Sequence, residues 1–191
     1  MKSSTFKSLE ISLFIKFMSI RQIITVPDET LKKISEPIEK VGVNEKKLIN
    51  DLFETMYNSN GIGLAAVQVG ILKRILVVDV SSKEEKKNPI CFVNPIIKKI
   101  SNKMSVYEEG CLSIPDTFIE IERPKTCEIE YIDINGKIKT QEFDGLLSTC
   151  VQHEINHLDG KLIIDHLSKL KKDMIIKKIS KLKKNPDRII V

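Results

Sequence analysis

Between positions 44 and 56 the apolar residues Leu48, Ile49, Leu52, Phe53 and Met56 recur at steps of three and four, the period of a helix with one buried face. Asn44 is placed to cap its start and Asn60-Gly61 to stop it. Two apolar runs, Arg74–Val80 and Cys91–Ile97, read as strands. Pro95 makes the second an edge or bulged strand, because proline has no N–H to give to a ladder. Cys127–Asp133 and Lys137–Phe143 flank Asn135-Gly136, two turn residues that tolerate positive φ and so predict a hairpin. Leu146–Leu158 reads as a mostly apolar helix, and Ser168 as the cap of a last helix running to about Lys184. No internal repeat or linker interrupts the pattern.

The 191 residues, 41% hydrophobic and 30% charged, fit one globular domain rather than two. The longest nearly apolar stretch, Gly61–Leu72, falls short of the about 20 residues a membrane-spanning helix needs, so no membrane partner is expected. Residues 1–17 hold a short apolar patch, Ile11–Ile15, with no cleavage pattern after it. They read as a disordered extension rather than a signal peptide, with Met18 as an alternative start. Cys91, Cys111, Cys127 and Cys150 form no Cys-x-x-Cys pair, which suits a reducing cytoplasm. The net charge of +5 is uneven. From Lys161 to Val191 there are 10 basic residues against 3 acidic, and the remainder holds 21 against 23. A basic C-terminal segment on a nearly neutral core points to an acidic partner docking there.

The sharpest chemical signal is His153-Glu154-Ile155-Asn156-His157, which holds two of the three histidines in the chain. A four-residue step on a helix puts both imidazoles on one face to grip a divalent metal, with the glutamate beside them as general base. The third ligand decides the class. Ile163 stands where metzincin proteases have their third histidine, and no glutamate follows Glu154, which excludes zincins with a downstream glutamate. Asp165 and His166 fall just past the helix end, where a solvated role fits better. A cysteine ligand stays open. Cys150, one turn before His153, has a side chain too short to reach easily and reads better as a packed residue near the site. Cys111, in Glu108-Glu109-Gly110-Cys111-Leu112-Ser113, sits in a segment able to loop back to the helix. Gly61-Ile62-Gly63-Leu64-Ala65-Ala66-Val67-Gln68 is no nucleotide loop, because Ala66 replaces the last glycine of G-x-G-x-x-G and a helix precedes it. It reads instead as a close backbone approach to a ligand, with Gln68 as an amide donor.

Together G-I-G-L-A-A-V-Q, E-G-C-L-S and Q-H-E-I-N-H, in this order and spacing, resemble the peptide deformylases, hydrolases that remove the N-formyl group from newly made proteins. The resemblance runs from about Met18 to the C-terminal helix. It implies an α+β fold with antiparallel sheets packed around a central metal-binding helix, and a C-terminal helix. The parts are then an extension over 1–17, a catalytic domain over 18–168 and a basic helix and tail over 169–191. It further implies Cys111, His153 and His157 as ligands of one divalent ion, Fe2+ by preference, with Ni2+, Co2+ or Zn2+ able to replace it. Glu154 would be the acid/base, and Gln68 with the Leu112 backbone N–H would receive charge on the formyl oxygen. Gly63 would lie against the substrate, while Ile62, Leu146 and Cys150 line an apolar pocket for the methionine side chain and the peptide docks as an added strand. Nascent N-formylmethionyl polypeptides are the implied partners, with the ribosome reached through the basic helix. Two positions depart from the family pattern. Val67 replaces a common proline, which softens that loop. Asn156 replaces an aspartate expected to pair with Arg123, giving a weaker amide contact. The rival readings are an HExxH metalloprotease and a non-catalytic ribosome- or RNA-binding protein.

Overall fold

In the computed structural model, residues 19–82 and 85–184 are described, with side chains as far as Leu182. The expected extension over 1–17, the alternative start at Met18 and the tail past Lys184 lie outside the described residues. Among the described residues there are seven strands: β1 (Gly63–Ala65), β2 (Ile75–Val78), β3 (Ile90–Ile100), β4 (Met104–Cys111), β5 (Ile114–Pro124), β6 (Thr126–Ile132) and β7 (Ile138–Asp144). Five form an antiparallel sheet in the order β1-β2-β3-β6-β7, while β4 and β5 form a separate two-stranded ribbon. The α-helices are α1 (Val43–Asn58), α2 (Gly145–Leu158) and α3 (Lys169–Lys184).

The period of two along β2 explains how the helices sit. Leu76 and Val78 point to one face, where they pack with Phe92, Ile129, Tyr131 and Phe143 against Cys150, Val151, Ile155 and Leu158 of α2. Ile75 and Val77 point to the other face, with Leu64, Cys91 and Val93, against Leu48, Ile49, Leu52 and Met56 of α1. The inner strands are therefore buried on both sides, and α2 is held between the sheet and the ribbon. That is the α+β arrangement expected, with the metal-motif helix at its centre. A third cluster joins Ile114 and Ile121 of β5 to Ile163, Ile164 and Ile179, docking α3 onto the ribbon.

Local details depart from the sequence reading in instructive ways. Helix α1 is capped by Gly42 rather than Asn44, its N–H donating to the Glu45 carboxylate at 3.0 Å. At the other end Asn60 takes φ 53°, and the Asn60 and Gly61 amides return to Tyr57 and Met56 at 3.1 and 2.9 Å, the paired bonds of a Schellman stop. Pro95 sits in an interior strand, not an edge. The ladder shifts register between Val93 and Ile96, Asn94 turns to φ 49°, and the resulting bulge accommodates the missing N–H. The Asn135-Gly136 hairpin forms, but only Gly136 takes positive φ, while the Asp133 carboxylate accepts from the Asn135 and Lys137 amides. The β4–β5 ribbon was not anticipated as a pair of strands.

Candidate active site

Alternation along the ribbon supplies one half of the site. On β4, Glu109 is buried between exposed Glu108 and Gly110, and on β5, Arg123 is buried beside exposed Glu122. Glu109 and Cys111, two residues apart, thus share the inward face of one strand. Helix α2 supplies the other half, with His153 and His157 one turn apart and their ring centroids 4.9 Å from each other. Cys111 Sγ lies 3.2 Å from His157 Nε2. Cys111, His153 and His157 each offer a donor atom, all within 4.8 Å of one another, the one such His/Cys/Asp/Glu group among the described residues.

A buried carboxylate orients this group. Glu109 accepts two bonds from the Arg123 guanidinium, the Nη2 bond being 2.9 Å, and pairs with His153 Nδ1 at 2.8 Å. With Nδ1 so engaged, the Nε2 of His153 is the nitrogen left for a metal, as is usual for ligating histidines. Burial would raise the Glu109 pKa, but the bonds from His153 and Arg123 outweigh it and hold it below the ordinary carboxylate value. Burial, reinforced by the charges of His153 and Arg123, keeps His157 well below its ordinary value. The Asn156 amide oxygen accepts from Arg123 Nη1 at 2.8 Å, so Arg123 is gripped by Glu109 as well as by Asn156. Glu109 was not singled out from sequence, although its place two residues before Cys111 on a strand is the signal that finds it.

Glu154 is buried, and burial pushes its pKa up to about 7. Its Oε2 is buried and has no hydrogen-bond partner, and the residue lines an open cavity of about 400 Å³. Such an atom is unusual in a buried carboxylate unless a ligand or water completes it. The other lining residues include Ile62, Gly63, Gln68, Cys111, Leu112, Leu146, Cys150 and His153. Gln68 Oε1 accepts from the Ala65 amide at 2.8 Å, which directs Nε2 toward Ser113 Oγ and Cys111 Sγ at 3.2 and 3.7 Å. Cys150 lies outside the Cys/His group, its thiol against the Ile62 carbonyl at 3.5 Å. Asp165 and His166 are exposed beyond α2. Tyr107, Phe118 and Thr149 also line the cavity and were not identified from sequence.

One thiol and two imidazoles at this spacing fit a borderline divalent metal. A family model described as polypeptide deformylase matches residues 20–173. The chain belongs to the polypeptide deformylase family. A peptide deformylase of Pelagibacter ubique (strain HTCC1062) is 58% identical over 174 residues, covering 91% of this chain and 100% of the relative. The peptide deformylase of Rhizobium meliloti (strain 1021) is 50% identical over 157 residues, covering 82% of this chain and 90% of the relative. Among solved structures, the peptide deformylase from Ehrlichia chaffeensis superposes with a TM-score of 0.84 at 42% identity, covering 88% of this chain and 99% of that one. Its complex with actinonin gives 0.83 at 43%, covering 90% and 99%. As a deformylase, the chain is a hydrolase that takes the N-formyl group from newly made polypeptides, and neither the metalloprotease nor the non-catalytic reading is favoured. No helix among the described residues is long and apolar enough to cross a membrane.

Proposed function

We propose that Cys111, His153 and His157 hold the deformylase's divalent ion, iron(II) in the cell, and that Glu154 moves the proton. The observation carrying this is the juxtaposition of a Cys/His₂ donor set with a buried carboxylate that lines the cavity and has an unpartnered oxygen. When bound, such an ion polarises a carbonyl and makes water acidic enough to attack at neutral pH. Glu154 takes the proton from the attacking water and returns it to the amine nitrogen that leaves, yielding formate and a free N-terminus. Charge growing on the formyl oxygen is met by Gln68 Nε2 and the Leu112 N–H, each donor being worth about 2.7–4 kcal/mol at comparable sites. The methionine side chain lies among Ile62, Leu146 and Cys150, with Gly63 allowing the peptide close to Glu154.

The same reading assigns the reaction to residues 18–168 and a ribosome contact to the basic helix over 169–191. Lys171, Lys177, Lys178 and Lys181 are exposed on α3 while Ile179 is buried, so one face docks on the ribbon and the other offers positive charge. A reducing cytoplasm suits the four free cysteines. Metal analysis of anaerobically purified protein with a formate-release assay tests the assignment. About one iron per chain with activity that fades in air and persists with nickel supports it, and equal air stability of the two forms counts against iron.

A further inference from the structure

Arg123 is a buried cation set beside a site for a second, doubly charged one. Its side chain is 8% exposed, and its N–H groups reach two acceptors. Nε and Nη2 donate to Glu109, the latter at 2.9 Å, and Nη1 donates to Asn156 Oδ1 at 2.8 Å. Ser105, its partner across the ribbon, carries no charge. Among the described residues Glu109 is therefore the one carboxylate paired with it.

The same carboxylate has a second task. Glu109 Oε2 also bonds His153 Nδ1 at 2.8 Å, and a carboxylate behind a ligating imidazole makes that ring a stronger donor. Whatever charge Arg123 draws from Glu109 is lost to His153. A buried guanidinium also repels a divalent ion more strongly than it would in water, and its charge reaches the ligands: after burial and His153, Arg123 is what holds His157 below its ordinary value. Asn156 directly precedes His157 on α2 and is half-buried. Its amide gives Nη1 an acceptor of the right shape but no charge, so both effects stand uncorrected. An aspartate of the same shape would share the guanidinium, return Glu109 to His153 and add one negative charge beside the donor set.

We propose that Asn156 is a positioning residue that sets how tightly the ion is held: as a neutral acceptor for Arg123 it keeps Glu109 drawn away from His153 and leaves the ion weakly bound and readily exchanged. The inference rests on Cys111, His153 and His157 being the ligands, and adds to that reading a residue that touches neither the ion nor the substrate. The test measures nickel and cobalt dissociation constants by chelator competition on wild type, Asn156→Asp and Asn156→Ser, with thermal melting of each metal-free protein. Asn156→Asp is expected to bind both ions about 10–100-fold more tightly than wild type, the usual range for a change behind a ligating histidine. Asn156→Ser, which stays neutral and admits water to Nη1, is expected to remain within about threefold of wild type. Equal constants in wild type and Asn156→Asp, weaker binding in the latter, or a gain confined to one of the two ions overturns the proposal and leaves the ligand set standing. So does a serine variant that gains as much as the aspartate one, or an aspartate variant too unstable to load, because the contact would then act through shape rather than charge. A wild-type chain that takes up neither ion overturns instead the ligand reading, and the proposal with it.

Discussion

Changing Gly63 to alanine adds one carbon at the tightest point of the site. Built on the backbone, that carbon lies 2.5 Å from Glu154 Oε1, 2.8 Å from Cys150 Sγ and 3.0 Å from Glu154 Cδ, all inside the about 3.5–4.0 Å of an ordinary contact. Both side chains are buried on α2, which is held between the sheet and the ribbon, so the helix gives little. Overpacking of this kind costs about 1–3 kcal/mol of stability. If relief comes by pushing the carboxylate about 1 Å from its working position, activity falls on the order of 100-fold. Gly61 provides the control. A carbon added there meets Leu112 Cδ1 at 2.7 Å, the far end of a half-buried side chain that escapes by a rotamer change costing about 0.5–1.5 kcal/mol. Formate release by Gly63→Ala and Gly61→Ala, with thermal melting and metal content of each, is the assay. Gly63→Ala is expected to keep its metal, melt lower and lose most of its turnover. Turnover of Gly63→Ala within about threefold of Gly61→Ala, equivalent to less than about 1 kcal/mol, refutes the close approach of this backbone to the working carboxylate.

Three further outcomes are expected. Cys111→Ser should lose most activity or change metal preference, since an alcohol is a harder and less acidic donor, whereas Cys150→Ser should mainly raise KM; metal lost only on changing Cys150 reverses the assignment. Asp51 is fully buried and ion-paired with Arg21 and Lys47. Burial would raise its pKa, but the Ser19 amide, Lys47 and Arg21 outweigh that and hold it low. Its stabilisation is therefore present above the ordinary carboxylate value and lost as pH falls through the lowered one. Asp51→Asn should cost on the order of 2 kcal/mol at neutral pH, less than a fully enclosed pair because its cations are part exposed. The melting gap from wild type should close in acid, and a gap independent of pH refutes the linkage. Finally, ribosome co-sedimentation across a salt series should show a shallower slope when Lys171, Lys177, Lys178 and Lys181 are changed to glutamine, and superimposable curves remove α3 from the functional account.

The elements legible in the sequence were those whose own period carries the signal. Helix α1 shows its buried stripe, and α2 announces itself by two histidines four residues apart on an apolar background. The β6–β7 hairpin is marked by its turn. The β4–β5 ribbon was not legible because the inward Ser105, Tyr107 and Glu109 of β4 carry no apolar alternation, and that of Ile119 and Ile121 on β5 runs into buried Arg123. Glu109 and Arg123 occupy buried places and are neutral only as a pair formed across 14 residues, which no window along one strand detects. Outside, Glu108, Glu120 and Glu122 break the β-forming pattern further. The cap of α1 was missed for a related reason, since Gly42 has no side chain to advertise the role and the work is done by Glu45. Of the candidate site residues, Cys111, His153, Glu154, Gln68 and Ile62 came from motifs. Glu109, Phe118 and Tyr107 enter the site only through strand pairing.

The most direct test of the account is Glu154→Gln, measured for metal per chain and formate release in the same preparation. The amide is nearly the same size and leaves Cys111, His153 and His157 untouched, so the account predicts about one metal ion per chain with turnover down by about 10²–10⁴-fold. Near-normal formate release from metal-loaded Glu154→Gln contradicts the account, because the proton would then be moved by another group.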